Sequence, residues 1–268
     1  VLPRKSLLRR KAAGKPIDWQ LIAANIDVAF IIQSVARDFN LRRLERYLVM
    51  VNESGIVPRI LLSKCDLASE QELTEKVNSV SKVAAPIPIL AFSNLTGENI
   101  DSIGKTLLSG QTYCLLGSSG VGKTTLLNSI AGGDFFATRP VSTKTKKGKH
   151  TTTSRELVQL QSGAMLIDTP GMRELGSMSV DAGIDETFSE IQVLSQSCKF
   201  ADCSHSNEKG CAILAAVDSG ELSEERYKNY LKVKRQAAFN DMSYADRRKK
   251  DKDFGKMVKA TLKGKGRR

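Results

Sequence analysis

The sequence lacks any apolar run that approaches the roughly 20 residues needed to cross a bilayer. It also lacks the apolar stretch of a secretory signal peptide. We therefore expect a cytoplasmic protein without a membrane contact, and we expect it to be a monomer. Aromatic residues make up 6% of the chain and tryptophan occurs once, at Trp19. No aromatic stripe indicates a platform on which single-stranded RNA would stack, so Trp19 is interpreted as a packing residue.

Cysteine is scarce and odd in number, with five residues in 268. This count argues against a disulfide framework and favours metal binding. Three cysteines and one of the two histidines form a cluster, Cys198-x4-Cys203-x-His205-x5-Cys211. Three thiols and an imidazole are a common closed ligand set for one structural Zn²⁺. The alternative is that these cysteines are small buried residues, which is our interpretation of Cys65 and Cys114.

The net charge of +12 lies at the two ends of the chain. Residues 247–268 carry +9 and residues 1–15 carry +6, which leaves −3 for the rest. Basic ends favour a polyanion such as RNA, because each neutralised phosphate releases counterions. The alternative is a solvated tail with no partner.

Strands and helices alternate over the first two thirds of the sequence. Apolar runs predict strands at residues 28–32, 59–62, 88–92 and 112–116, and a hairpin at 157–167 turning at Ser162 and Gly163. Helical spacing predicts helices at residues 41–52, 70–83, 100–108 and 124–131, and later at 213–217 and 224–239. The pattern indicates an α/β P-loop domain with a mainly parallel sheet covered on both faces, followed by a small helical zinc-binding domain. We place these domains at 16–178 and 179–268.

A phosphate loop follows the strand at 112–116. Gly117-x4-Gly122-Lys123-Thr124 has the spacing of the Walker A motif, between a strand and a helix. Glycines let backbone N–H groups surround phosphate oxygens, while the helix N-terminus adds partial positive charge. Lys123 is expected to reach the terminal phosphates and Thr124 to coordinate Mg²⁺. The predicted nucleotide contacts here are Gly117, Ser118, Ser119, Gly120, Val121, Gly122, Lys123, Thr124 and Thr125.

Two later motifs fit the γ-phosphate side of such a site. Asp168-Thr-Pro-Gly171 follows a strand, which suits an aspartate that holds Mg²⁺ and a glycine amide that senses the γ-phosphate. The segment at 148–153 contains three consecutive threonines, of which Thr152 is the predicted magnesium ligand of switch I. Thr151 and Thr153 remain alternatives, as does an edge strand without a functional role.

The base-recognition motif of GTPases, Asn-Lys-x-Asp, is absent downstream of Asp168. Upstream, the strand at 59–62 is followed by Ser63, Lys64, Cys65 and Asp66. Asp66 is expected to accept from guanine, with the Lys64 stem stacked on the ring. Ser93 begins a second element, whose backbone amide would contact the guanine oxygen. The order of motifs is therefore circularly permuted, which domains tolerate because their termini often lie close together.

Together these motifs resemble the RsgA/YjeQ family of circularly permuted GTPases of small-ribosomal-subunit maturation. The resemblance implies GTP hydrolysis to GDP, stimulation by the small subunit and contact with its rRNA. It also implies that residues 1–15 are a basic remnant of an OB-fold domain. Ser63 replaces the family's usual asparagine. Met172 stands where many GTPases have a water-orienting glutamine, so the resemblance makes His150 the candidate for that role, with an exposed or RNA-contacting histidine as the alternative.

Two other functions remain open from the residues alone. A P-loop ATPase of unrelated role is one, because Ser63 weakens the guanine motif. An RNA-binding zinc protein with a nucleotide switch and negligible turnover is the other. With the motifs in permuted order, switch II at Asp168–Gly171 leads directly into the C-terminal region. A conformational change of switch II on nucleotide hydrolysis would therefore be transmitted to that region.

Overall fold

The computed structural model describes residues 3–11, 19–36, 38–133, 156–168 and 181–242, with residues 246 and 249. The strands in chain order are β1 (Leu7–Lys11), β2 (Trp19–Ala24), β3 (Val28–Ser34), β4 (Val57–Ser63), β5 (Ile89–Phe92), β6 (Thr112–Leu116), β7 (Glu156–Gln159) and β8 (Met165–Asp168). The helices are α1 (Leu41–Glu53), α2 (Glu70–Ala84), α3 (Ile100–Lys105), α4 (Lys123–Ala131), α5 (Asp181–Thr187), α6 (Ser189–Ser195), α7 (Ala212–Asp218) and α8 (Glu224–Asp241). A short 3-10 helix covers Cys65–Leu67.

Six strands form one sheet in the order β5-β4-β3-β6-β8-β7. Only β7 runs antiparallel to its neighbour within this sheet, since it is the first arm of a hairpin with β8. β3 lies in the centre and all seven of its residues are buried. The predicted parallel sheet and the predicted hairpin are both confirmed. The carboxyl ends of β4, β5 and β6, where parallel sheets hold ligands, lie along one edge.

Each face of the sheet carries its own apolar core. Alternate residues of β3 divide between the two, because successive strand residues point to opposite faces. Phe30 belongs to one core, where its ring stacks on Tyr113 at 5.6 Å between centroids. Ile31 belongs to the other core, which also contains Leu44 and Leu48 of α1. Helices α3 and α4 cover the first face and α1 and α2 the second, as the sequence predicts.

The C-terminal helices pack against α1 and share its core. Ile184, Phe188 and Tyr230 belong to the same apolar cluster as Leu44. Gly183 lies so close to α1 that a Cβ there would stand 2.2 Å from the backbone oxygen of Val49. The two predicted domains are therefore joined by a continuous buried surface, and the division at residue 178 stays a prediction.

Arg226 of α8 reinforces this contact. Its guanidinium pairs with Glu45 of α1 and with Glu190 of α6, and donates to the backbone oxygen of Thr187 at 2.9 Å. It also lies 4.8 Å from the Phe188 ring centroid. Glu45 is 3% exposed and accepts a further hydrogen bond from Asn229. A buried charge needs such partners, so the interface is specific as well as apolar.

The clearest differences from the sequence predictions involve five elements. The antiparallel pair β1–β2 lies in a region for which no structure is predicted, and it crosses the predicted boundary at residue 15. Helices α5 and α6 are also additional. α3 ends at Lys105 rather than at residue 108, because the Tyr113 hydroxyl accepts from the Leu108 amide and donates to the Thr106 carbonyl. Among the described residues, no helix combines the length and apolar character of a membrane span.

Candidate functional site

The phosphate loop joins β6, which is wholly buried, to the start of α4 at Lys123. Gly117 has φ 152°, and a Cβ at this position would stand 2.4 Å from the backbone oxygen of Ile32. Only glycine fits there, because the loop crosses directly over the end of β3. The strand, loop and helix predicted from the sequence are confirmed, in the order that places a helix N-terminus beside a bound phosphate.

Lys123 folds back over this loop. Its Nζ donates to the backbone oxygens of Gly117 and Ser118, each at 2.8 Å. The phosphates of a nucleotide would offer oxygen acceptors to the same ammonium. Thr124 and Thr125 lie in the first turn of α4, beside the N-terminal end of its dipole. The arrangement fits a polyphosphate.

A contact that the sequence did not predict fixes the other side of the loop. The Ser118 hydroxyl donates to the carboxylate of Asp38, in the segment between β3 and α1. Asp38 in turn pairs with Arg43 at 2.9 Å. The phosphate loop is thereby tied to the start of α1. No sequence signal indicates this contact, since 80 residues separate the two side chains.

The base-recognition segment lies at the end of β4. Lys64 has φ 62° and turns the chain into the 3-10 helix that presents Asp66, an exposed residue. The Ser93 hydroxyl donates to the Asp66 carboxylate and accepts from the amides of Leu95 and Thr96, at 3.1 and 3.2 Å. The structure thus joins the two elements predicted to recognise the base.

Asn94 links this segment to the phosphate loop. Its Nδ2 donates to the backbone oxygen of Gly122 at 3.0 Å. The predicted base-recognition and phosphate elements therefore lie side by side at one edge of the sheet, in spite of their permuted order. Asn94 was not among the predicted site residues, and only its position directly after Ser93 could have drawn attention to it.

The γ-phosphate side is described only in part. Asp168 ends β8, the parallel neighbour of β6, and this backbone position agrees with the prediction. Its side chain lies outside what the structure describes, as do Gly171, Met172, His150 and Thr152 with its neighbouring threonines. The basic tail after residue 249 does as well. Their predicted roles stay predictions.

The four predicted zinc ligands converge. The ligand atoms of Cys198, Cys203, His205 and Cys211 all lie within 4.8 Å of one another. The Cys198 and Cys211 sulfurs are 3.9 Å apart, and each lies 3.6 Å from His205 Nδ1. In a tetrahedral site with Zn–S bonds of about 2.3 Å, sulfurs stand about 3.8 Å apart. The cluster is therefore compatible with one Zn²⁺.

Surrounding groups shift the pKa values of these ligands in both directions, and burial raises that of Cys203 to about 11. Burial, and secondarily the charge of Lys234, lowers the pKa of His205, which favours the neutral imidazole that binds metals. Burial raises the pKa of the Cys198 thiol, but hydrogen bonds from the backbone N–H groups of Ala212 and Ile213, and then from Cys211 and Cys203, lower that pKa overall. The Tyr227 hydroxyl donates to the His205 backbone oxygen at 2.6 Å. Such outer contacts orient metal ligands.

Glu208 closes the loop around the cluster. Its carboxylate accepts from the backbone amides of Ser204 and Ser206 at 2.9 Å and of Asn207 at 3.1 Å. Hydrogen bonds from the Ser204 hydroxyl and then from the Asn207 amide lower the pKa of Glu208 to about 2. The remaining cysteines, Cys65 and Cys114, are buried, and burial raises their pKa values to about 11 and 12. They are packing residues, as predicted.

Comparison with known proteins agrees with this geometry. The family model of the RsgA GTPase matches residues 1–178. This chain belongs to the RsgA GTPase family. It is 41% identical over 272 residues to the small ribosomal subunit biogenesis GTPase RsgA 2 of Vibrio parahaemolyticus, which covers the whole chain and 74% of that protein. It is 45% identical over 240 residues to RsgA of Methanosarcina acetivorans, covering 89% of the chain and 64% of that protein.

Two solved structures share the fold. The YjeQ crystal structure from Thermotoga maritima has a TM-score of 0.64 and 28% identity, over 88% of this chain and 77% of that one. YloQ, a circularly permuted GTPase, has a TM-score of 0.63 and 26% identity, over 91% and 75%. The permuted order of motifs predicted from the sequence is thereby confirmed.

Proposed function

We propose that this chain hydrolyses GTP in late maturation of the small ribosomal subunit, is stimulated by that subunit and leaves it after hydrolysis. Membership of the RsgA GTPase family carries the proposal, since relatives that cover most of the chain are named for biogenesis of that subunit. The adjoining base and phosphate elements support guanine-nucleotide binding by this chain itself. We place the protein in the cytoplasm as a monomer, where the ribosomal subunit is its partner.

The phosphate loop holds the triphosphate in this proposal. Lys123 exchanges its two carbonyl contacts for oxygens of the terminal phosphates, which are stronger acceptors because they are charged. Thr124, Thr152 and Asp168 would hold Mg²⁺, which neutralises charge on the phosphates when it is bound. Asp66 accepts from the guanine N1–H and amino group, and the backbone after Ser93 contacts the guanine oxygen.

His150 positions the attacking water in this proposal. Met172 carries no polar group that could do so, and the other histidine, His205, lies in the cysteine cluster. A neutral imidazole accepts a hydrogen bond from water and can hold it for attack. Such positioned groups contribute about 100-fold or more to a rate. Replacing His150 by Ala is therefore expected to leave nucleotide binding intact and to slow hydrolysis by about that factor.

The cysteine cluster holds one structural Zn²⁺, with no ligand position left for substrate. The basic ends of the chain contact rRNA, since they carry +9 and +6 while the rest of the chain carries −3. Because α8 leads from the packed core to the basic C-terminal segment, the zinc region connects the nucleotide domain with this RNA contact.

The test is GTP turnover of the full chain with and without purified small ribosomal subunits, at two salt concentrations. We expect subunits to stimulate turnover, and higher salt to weaken the stimulation because phosphate contacts are salt-dependent. Turnover that stays at the uncatalysed rate in both cases would contradict the enzyme function. Turnover that is independent of subunits would contradict the ribosomal role alone.

A further inference from the structure

The first residue of the base-recognition segment gives no donor to a bound base. Ser63 is 0% exposed, and its Oγ donates to the backbone oxygen of Gln33 on the neighbouring strand at 3.3 Å. A hydroxyl has a single hydrogen to donate, whereas the amide of an asparagine has two. The serine at this position therefore leaves the site short of one amide donor.

Asn94 supplies an amide at the same edge of the sheet. Ser63 pairs with Phe92 across β4 and β5, and Asn94 follows Phe92 by two residues. On one side Asn94 adjoins Ser93, whose hydroxyl binds Asp66. On the other side its Nδ2 reaches Gly122 of the phosphate loop. Asn94 therefore lies between the carboxylate that reads the base and the loop that holds the phosphates, which is the span a nucleotide must cover.

The close approach of Asn94 and Gly122 depends on glycine. A Cβ at Gly122 would stand 2.4 Å from Asn94 Nδ2, and the φ of Gly122 is 93°. The contact therefore uses a backbone position that a side chain would block. It fixes the asparagine amide at the rim of the phosphate loop.

The amide of Asn94 has hydrogen-bonding capacity left. One of its two N–H groups is used at Gly122, and its Oδ1 is buried without a hydrogen-bond partner among the described residues. The residue itself is partly exposed. Oδ1 is an acceptor and needs a donor, so a purine nitrogen that is itself an acceptor cannot complete it. The second N–H of Nδ2 is the group that such an acceptor would meet. The N7 atom of a purine is an acceptor that suits the second N–H.

We propose that Asn94 is a nucleotide-binding residue that donates to N7 of the guanine base, in place of the amide that Ser63 lacks. The inference rests on the proposed binding of guanine nucleotides. Asp66 then accepts from the donor edge of guanine while Asn94 donates to its N7 side. The same side chain holds the base loop against the phosphate loop through Gly122.

The test compares the dissociation constants of GDP and of 7-deaza-GDP, in which a C–H replaces N7. The unmodified chain should bind GDP roughly tenfold more tightly, the size of one hydrogen bond of about 1.4 kcal/mol. Asn94→Ala should bind both nucleotides with equal affinity. Asn207→Ala, which removes an exposed asparagine of the zinc loop, should keep the preference. If Asn94→Ala weakens the binding of GDP and of 7-deaza-GDP by the same factor, Asn94 only positions the loop, and the proposal is overturned.

A second variant tests whether Asn94 supplies the amide donor that Ser63 lacks. Adding Ser63→Asn to Asn94→Ala should restore the preference for GDP over 7-deaza-GDP, because an amide returns to the position usual in the family. If the double variant binds GDP and 7-deaza-GDP with equal affinity, the claim that Asn94 replaces an amide at position 63 is contradicted. If the unmodified chain binds ADP as tightly as GDP, or binds neither, the proposed function fails instead, and this outcome is distinct from any result obtained with Asn94.

Discussion

The nucleotide site and the cysteine cluster are held by different kinds of structure. The nucleotide site lies on the ends of central strands whose side chains fill two apolar cores. The cysteine cluster lies mainly on loops between α6 and α7, where exposed residues such as Phe200 and Lys209 outnumber buried ones. The first site is therefore formed by the fold itself. We expect the loop around the cysteine cluster to depend on a bound metal for its folded structure, as other small metal sites do.

Loss of the metal should produce the largest difference between the two regions. Cys198→Ser is expected to abolish zinc retention and to unfold the loop from 198 to 211, since structural zinc contributes about 10 kcal/mol or more in small domains. GDP affinity should change by less than about threefold, because the nucleotide site has its own core. Zinc content, limited proteolysis and GDP titration measure the three effects. Cys114→Ser, at a buried thiol outside the cluster, is the control for zinc content, which it should leave unchanged. A parallel collapse of GDP binding in Cys198→Ser would refute the independence of the regions.

The contact between the regions should be the next most sensitive feature. Arg226→Ala leaves Glu45 buried without its cation and is expected to lower the free energy of unfolding by about 3–5 kcal/mol. Arg42→Ala is the matched control, because its pair with Glu225 is exposed and contributes at most about 1 kcal/mol. Urea titration at fixed zinc and GDP concentrations measures both values. Equal effects of the two variants would show that the Arg226 contact is not a specific link.

Lys123→Ala perturbs the nucleotide site and leaves the cysteine cluster intact. Lys123 Nζ donates to two loop carbonyls in the structure and is proposed to donate to the charged phosphates of GTP instead. Its removal is expected to weaken GTP binding by about 100-fold or more. Zinc content should be unchanged. Lys105→Ala, at an exposed lysine of α3, is the matched control and should bind GTP normally. Normal GTP affinity in Lys123→Ala would contradict the assignment of the phosphate loop.

Glu208→Gln should have the smallest effect. The neutral amide accepts more weakly from the loop amides of Ser204, Ser206 and Asn207, so zinc should be lost to a chelator about tenfold faster. Because its pKa is lowered from 4.5 to about 2, the contribution of Glu208 is present above pH 4.5 and is lost as the pH falls toward 2. Competition with a colorimetric chelator at pH 7 measures the effect. An unchanged rate of zinc loss would remove Glu208 from the metal site.

The sequence predicted most of the sheet and the order of the motifs, because buried strands and glycine loops leave local patterns. It also predicted the four residues of the Cys/His cluster, which the structure brings within 4.8 Å of one another; their binding of zinc stays a prediction. Asn94 and Asp38 could not be predicted in the same way. Their partners, Gly122 and Ser118, are 28 and 80 residues away, and only the completed sheet brings them together. Likewise neither strand of the β1–β2 pair alternates clearly, since β1 (LLRRK) ends in three consecutive basic residues and β2 (WQLIAA) in four consecutive apolar ones.

The central claim is that Asp66 and the phosphate loop form one guanine-nucleotide site in spite of the permuted chain order. Asp66→Asn tests it most directly, because an amide can donate to the 2-oxo group of xanthine but loses an acceptor for the 2-amino group of guanine. We expect the unmodified chain to bind GDP far more tightly than ADP or XDP, and Asp66→Asn to prefer XDP over GDP. Retention of GDP preference by Asp66→Asn, or equal binding of GDP and ADP by the unmodified chain, would contradict the claim.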